Sequence, residues 1–113
     1  MKRILAPILL LVLLFPTLVL GEEVTFDDLV KREGLYYQKF TDVPFDGKVT
    51  GQEQGSIRDG KKDGYWVEYR DNGQLSFKGT YKDGKRDSSW VGYYDNGQLW
   101  EKGTYKWDKK ISD

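Results

Sequence analysis

Any catalysis in this chain would have to rest on carboxylates. Its 113 residues include 18 Asp and Glu but no His and no Cys, which removes Ser-His triads, thiol nucleophiles and His-ligated zinc. The acidic candidates are Asp63, Asp71, Asp83, Asp87 and Asp95. Nearly all fall in short polar runs with Gly or Asn, where Asp is favoured because its side chain stabilises turns. That role accounts for them, so no enzyme activity and no cofactor are expected. Asp83-Gly84-Lys85 and Asp71-Asn72-Gly73 have some look of calcium loops, but no series of acidic ligands at alternate positions with a closing Glu follows either. No metal site is expected.

The other chemistry-bearing residues recur. Residues 58–81 and 82–105 agree at 16 of 24 positions when laid over each other, and a period of this size marks a stacked repeat architecture. Lys61-Lys62, Lys85-Arg86 and Lys109-Lys110 share one phase of it, so stacking lines them along one rim. Such a rim can attract phosphate-bearing lipids or wall polymers. It can equally be a solvated rim in which Asp59, Asp63, Asp83 and Asp87 balance the cations and discourage edge pairing. Trp100 replaces Ser76 of the first copy and Trp107 replaces Asp83, so the repeat demands neither. With Tyr93 or Tyr94 they can form an exposed platform for a protein, sugar or lipid surface, or cap the open end of the last repeat. The candidate partner-binding residues are Trp100, Trp107, Tyr93, Lys85, Arg86, Lys109 and Lys110.

The elements that must position these residues are hairpins. Asn72-Gly73 and Asn96-Gly97 each separate two runs rich in aromatic and β-branched residues, the strongest short-range hairpin signal. Trp66 to Arg70 and Leu75 to Tyr81 are the arms of one hairpin, and Trp90 to Tyr94 and Leu99 to Lys106 the arms of the next. Lys82-Asp83-Gly84-Lys85 joins them. Period two puts Leu75, Phe77, Gly79 and Tyr81 on one face. Trp66 and Tyr69, three apart, share a face only if a bulge lies between them. Gly79 and Gly103, in mid-strand, are expected to make room for Trp66 or Trp90.

A single hairpin cannot bury these rings alone, so neighbours must stack on it. Residues 45–57 read as a degenerate unit, 58–81 and 82–105 as full repeats, and 106–113 as a partial one. The pattern Trp-x-x-Tyr-x-x-Asn-Gly-Gln-Leu, then Lys-Gly-x-Tyr, then Asp-Gly-Lys, is carried by Trp66, Tyr69, Asn72, Gly73, Leu75, Gly79, Tyr81, Asp83 and Gly84. It resembles the MORN-repeat variant family, the bacterial group often labelled YwqK-type antitoxin. The resemblance implies a single-layer sheet of stacked hairpins.

Residues 1–21 are different material. Met1-Lys2-Arg3 is a charged start, Ile4 to Leu20 is apolar apart from Pro7, Pro16 and Thr17, and a polar chain opens at Glu22. This is a signal-peptide pattern with cleavage expected after Gly21; the alternative is an N-terminal membrane anchor at the lower length limit. Without Cys the exported part has neither a lipid anchor nor disulfides and must hold by packing. Once Lys2 and Arg3 are gone, 16 Lys and Arg face 18 Asp and Glu, a balance that gives no general attraction for nucleic acid.

Residues 22–44 are expected to form a cap. Thr25 to Glu33 has a helix signature: Thr25 as N-cap, Asp27 and Asp28 in the first turn, Phe26, Leu29 and Val30 on one stripe, Lys31-Arg32 at the end and Gly34 as the stop. Leu35 to Phe40 reads as a strand. The whole is a mainly β, antiparallel meander of stacked hairpins with one short N-terminal helix after a signal peptide. The expected role is an exported, non-catalytic module, secreted or periplasmic, that binds another envelope protein. The alternatives are a binder of cell-wall glycan or an anionic membrane surface, and an antitoxin-like component. Export counts against the last, because an intracellular toxin must be met in the cytoplasm.

Overall fold

The computed structural model describes residues 22–113, and the expected signal peptide lies outside the described residues. Ten strands follow in order: β1 (Glu22–Val24), β2 (Leu29–Arg32), β3 (Leu35–Gln38), β4 (Gly47–Val49), β5 (Glu53–Arg58), β6 (Lys61–Tyr69), β7 (Leu75–Lys82), β8 (Lys85–Tyr93), β9 (Leu99–Lys106) and β10 (Lys109–Ser112). From β4 to β10 each strand lies antiparallel beside the next in one sheet, and β1 joins parallel to β4. The second sheet is the β2–β3 hairpin. The expected single-layer meander is thus present, with a small hairpin laid against one end of it.

The expected helix from Thr25 to Glu33 is not. One 3-10 turn spans Phe26–Asp28, and the chain is extended again at Leu29. Thr25 and Asp28 do cap that turn, with the Thr25 amide donating to the Asp28 carboxylate at 3.0 Å. Pairing of Leu29 with Gln38 and Arg32 with Leu35 then outcompetes helix propagation. Glu33 and Gly34 close the hairpin with φ of 49° and 84°, the two left-handed residues of a tight β-turn. Gly34 was expected to stop a helix; it turns a hairpin.

The N-terminal segment packs on one end of the sheet. Val24, Leu29, Phe45, Val49, Ile57 and Trp66 form the buried core, with Phe26, Tyr36 and Tyr81 packed on it. Trp66 is wholly buried. The core therefore sits at the β4–β6 end, where the N-terminal elements give the sheet a second layer.

Tight turns tie successive hairpins together along one rim. The Gly84 amide donates to the Lys62 carbonyl at 2.9 Å, and 24 residues on the Asp108 amide donates to the Arg86 carbonyl at 3.2 Å. On the opposite rim the Asn72 and Asn96 side chains each accept from the amide two residues on, both at 2.9 Å, the Asx turn that favours Asn there. A bulge is present on the other arm of each hairpin, so β6 runs regularly from Trp66 to Tyr69 and the two rings do not share a face. Glu68 pairs with Phe77 and Tyr69 with Leu75, leaving Ser76 as the extra residue; Gly92 pairs with Glu101 and Tyr93 with Leu99, leaving Trp100.

Candidate interaction surface

One face of the sheet carries a row in which Gly and Trp alternate. Trp66 lies opposite Gly79, Gly79 opposite Trp90, and Trp90 opposite Gly103. Residues directly opposite one another share a face, so each indole occupies space that a neighbouring glycine leaves. A Cβ on Gly55 would lie 2.2 Å from Trp66, and one on Gly79 would lie 2.5 Å from Trp90. The sequence expectation holds for Gly79. Gly103 differs: its space is taken by the Lys110 side chain, 2.5 Å from where a Cβ would be. Each indole N–H donates to a carbonyl, Trp66 to Ser56 at 3.1 Å and Trp90 to Thr80 at 3.3 Å.

Further rings lean on the row. Phe26 meets Trp66 at 5.8 Å, while Phe77 stacks on Trp90 at 4.7 Å. In the unit before Phe77 the equivalent residue is Glu53, which pairs with Lys62 at 3.0 Å. Phe26 is thus brought in from the N-terminal segment to supply a ring that β5 lacks. Nothing in its local sequence announces this; the signal is the Glu at position 53.

The basic pairs divide between rim and face. Lys61, Lys85 and Lys109 are exposed. Lys62 instead lies over Trp66 and Tyr81, at 4.7 and 5.0 Å from the ring centres. Arg86 lies over Tyr105 at 4.4 Å and pairs with Asp108 at 3.4 Å. Lys110 pairs with Asp113 at 2.9 Å. The expected ladder is therefore thinned, because the second cation of two pairs serves the aromatic face through cation–π contact.

Trp100 and Trp107 do not form one platform. They sit at opposite ends of β9, roughly 20 Å apart at about 3.3 Å per residue. Trp107 lies in the turn before β10 with φ of 53° and is 56% exposed; the Lys85 ammonium is 5.8 Å from its ring. Trp100 is 61% exposed. As the bulge residue it folds its ring over Gly92, where a Cβ would lie 2.8 Å away. Gly92 pairs with Phe77, so Trp100 joins the aromatic face. Tyr93 is half-buried, with its carbonyl accepting from Arg70 at 2.8 Å, while Tyr94 and Leu99 are exposed.

The acidic candidates are dispersed. Asp63 is 3.9 Å from Arg58, Asp95 is 3.4 Å from Arg70, Asp71 accepts from Gln52, Asp87 accepts from Ser88, and Asp83 occupies a turn.

Burial leaves one titration signature on this face. The Tyr81 hydroxyl is pushed up from 10.0 to about 12, first by burial and then by the Glu53 carboxylate. The folded state holds a proton that the unfolded chain releases near 10.0, so this contribution to stability is complete below pH 10 and is lost as pH rises through 12. We expect the melting temperature to fall between pH 10 and 12, and to fall less in Tyr81→Phe. Thermal melts followed by phenolate absorbance check it; an equal fall in both proteins would reject the assignment.

No family model, no curated protein and no solved structure matches the chain.

Proposed function

We propose that the chain is a non-catalytic docking module of the MORN-variant kind, exported to the bacterial envelope, that engages another protein through the aromatic face at its last full hairpin. The observation that carries this reading is Trp100: a large ring, 61% exposed, seated over Gly92 on the face that Phe77 and Trp90 share. Held in place on one side and open on the other, it has the character of an interface anchor, and Trp is enriched among residues that dominate binding energy. Export is supported by the pattern of residues 1–21.

Pull-down from an envelope fraction with the wild-type chain and Trp100→Ala tests it. A specific partner is recovered by the wild type, and loss of the anchor weakens its binding about 30-fold, corresponding to about 2 kcal/mol. Because the ring is exposed, the variant's melting temperature stays close to wild type. Repeated recovery of no specific protein, or equal recovery by both, counts against the reading.

A second reading, binding of wall glycan or an anionic membrane surface, is favoured by Trp107 beside Lys85 on the other rim. Sedimentation with sacculi and anionic liposomes separates the two readings.

A further inference from the structure

A groove of about 450 Å³ opens between the N-terminal hairpin and the rim of tight turns. Lys31 comes to it from β2, Tyr36 from β3, Lys61 and Lys62 from β6, Tyr81 from β7 and Lys85 from β8. The hairpin that replaces the expected helix makes this convergence, since it carries Lys31 and Tyr36 across to the strands of the repeat.

The charges are unbalanced. Lys62 is committed to Glu53 at 3.0 Å and Asp108 to Arg86 at 3.4 Å. That leaves Lys31, Lys61 and Lys85 facing Asp83 as the only other carboxylate of the lining. Among the described residues the Tyr36 and Tyr81 hydroxyls have no side-chain or backbone acceptor. A phenol is protonated at neutral pH, and burial raises both further, so each hydroxyl is available as a donor to the groove. Ammonium groups and phenols supply donors alone, whereas an oxyanion supplies acceptors alone. Lysines that outnumber the carboxylates around them repel one another until an anion enters.

We propose that this groove binds a phosphate monoester of a small organic molecule. Lys31, Lys61 and Lys85 neutralise the phosphate, whose charge approaches minus two at neutral pH as theirs exceeds that of Asp83 by two. Tyr36 and Tyr81 donate to its oxygens or line the body of the ligand. The ammonium of Lys31 stands 5.3 Å from the Tyr36 ring centre, so the anion site and the ring wall are contiguous. The volume accommodates a hexose monophosphate and its water, within the range of small-ligand sites. This site lies on the tight-turn rim, away from Trp100, and does not depend on the docking role.

The test is calorimetric titration of the full chain at fixed ionic strength with inorganic phosphate, glucose 6-phosphate, glucose, and vesicles containing phosphatidic acid. Glucose 6-phosphate is expected to bind with a Kd below about 1 mM, inorganic phosphate more weakly, and glucose not at all. The double variant Lys61→Glu, Lys85→Glu should lose at least about tenfold in affinity through charge reversal at two donors. Both side chains are exposed, so its melting temperature should stay unchanged. Lys31→Ala gives an independent reading from the N-terminal hairpin and should weaken glucose 6-phosphate binding in the same direction. Equal binding by the double variant, or no heat with either soluble phosphate up to about 10 mM, overturns the proposal. Binding to vesicles without binding to either soluble phosphate also overturns it, in favour of a membrane surface.

Discussion

Gly55→Ala is expected to lower stability by about 3 kcal/mol, toward the upper end of overpacking costs. The new Cβ would lie 2.2 Å from the Trp66 indole, and that ring cannot retreat. It is wholly buried, tied to the Ser56 carbonyl at 3.1 Å and flanked by Phe26 and Tyr81. For a domain of this size the melting midpoint should drop by about 12 to 24 °C. Gly73→Ala is the control. It has open space around it and a φ of 87°, so it pays only for backbone strain, about 1 kcal/mol. Should Gly55→Ala melt no lower than Gly73→Ala, the Gly–Trp row is softer than its geometry says.

Trp66→Ala should cost about 3 to 5 kcal/mol, the range for removing a buried aromatic side chain. The loss has several parts: the cavity, the hydrogen bond to Ser56 and the contact with Phe26. It should also release the N-terminal cover, because Leu29 and Phe26 belong to the cluster centred on this ring. Trp90→Ala is expected to cost less, about 2 kcal/mol, since Trp90 is only half-buried and much of its surface already meets water. Chemical denaturation of the two variants checks the difference. Equal losses would mean that the cap adds nothing to the packing of Trp66.

The hairpins were legible because their signals are local. Asn-Gly and Asp-Gly turns fix the strand order, whereas the bulge at Ser76 lies on the strand opposite Trp66 and Tyr69, whose spacing does not mark it. The N-terminal segment was misread because its signals are ambiguous. Phe26, Leu29 and Val30 suit a helical stripe, but they equally suit one 3-10 turn followed by a strand, and Gly34 ends either structure. What decides is pairing with Leu35–Gln38, a contact that the local pattern of residues 25–34 does not encode.

The candidate site was half visible. That Trp100 and Trp107 depart from the pattern can be read directly, and their separation follows once Trp100 is placed at the start of β9 and Trp107 in the turn beyond its end. Their division into face and rim depends on the bulge, which turns Trp100 toward Gly92. The lysine groove was out of reach, because Lys31, Lys61 and Lys85 converge only through the way the β2–β3 hairpin lies on the sheet.

The bulge also constrains how the two copies could have diverged. A unit carrying Glu and Ser, as at Glu68 and Ser76, becomes one carrying Gly92 and Trp100 by two exchanges. If Trp arrived first, its ring would meet a Glu side chain where even a Cβ lies only 2.8 Å away. If Gly arrived first, the cost was only the loss of a side chain and some backbone entropy. The two differences are therefore coupled in space: the Trp100 ring lies over the strand where position 92 carries no side chain.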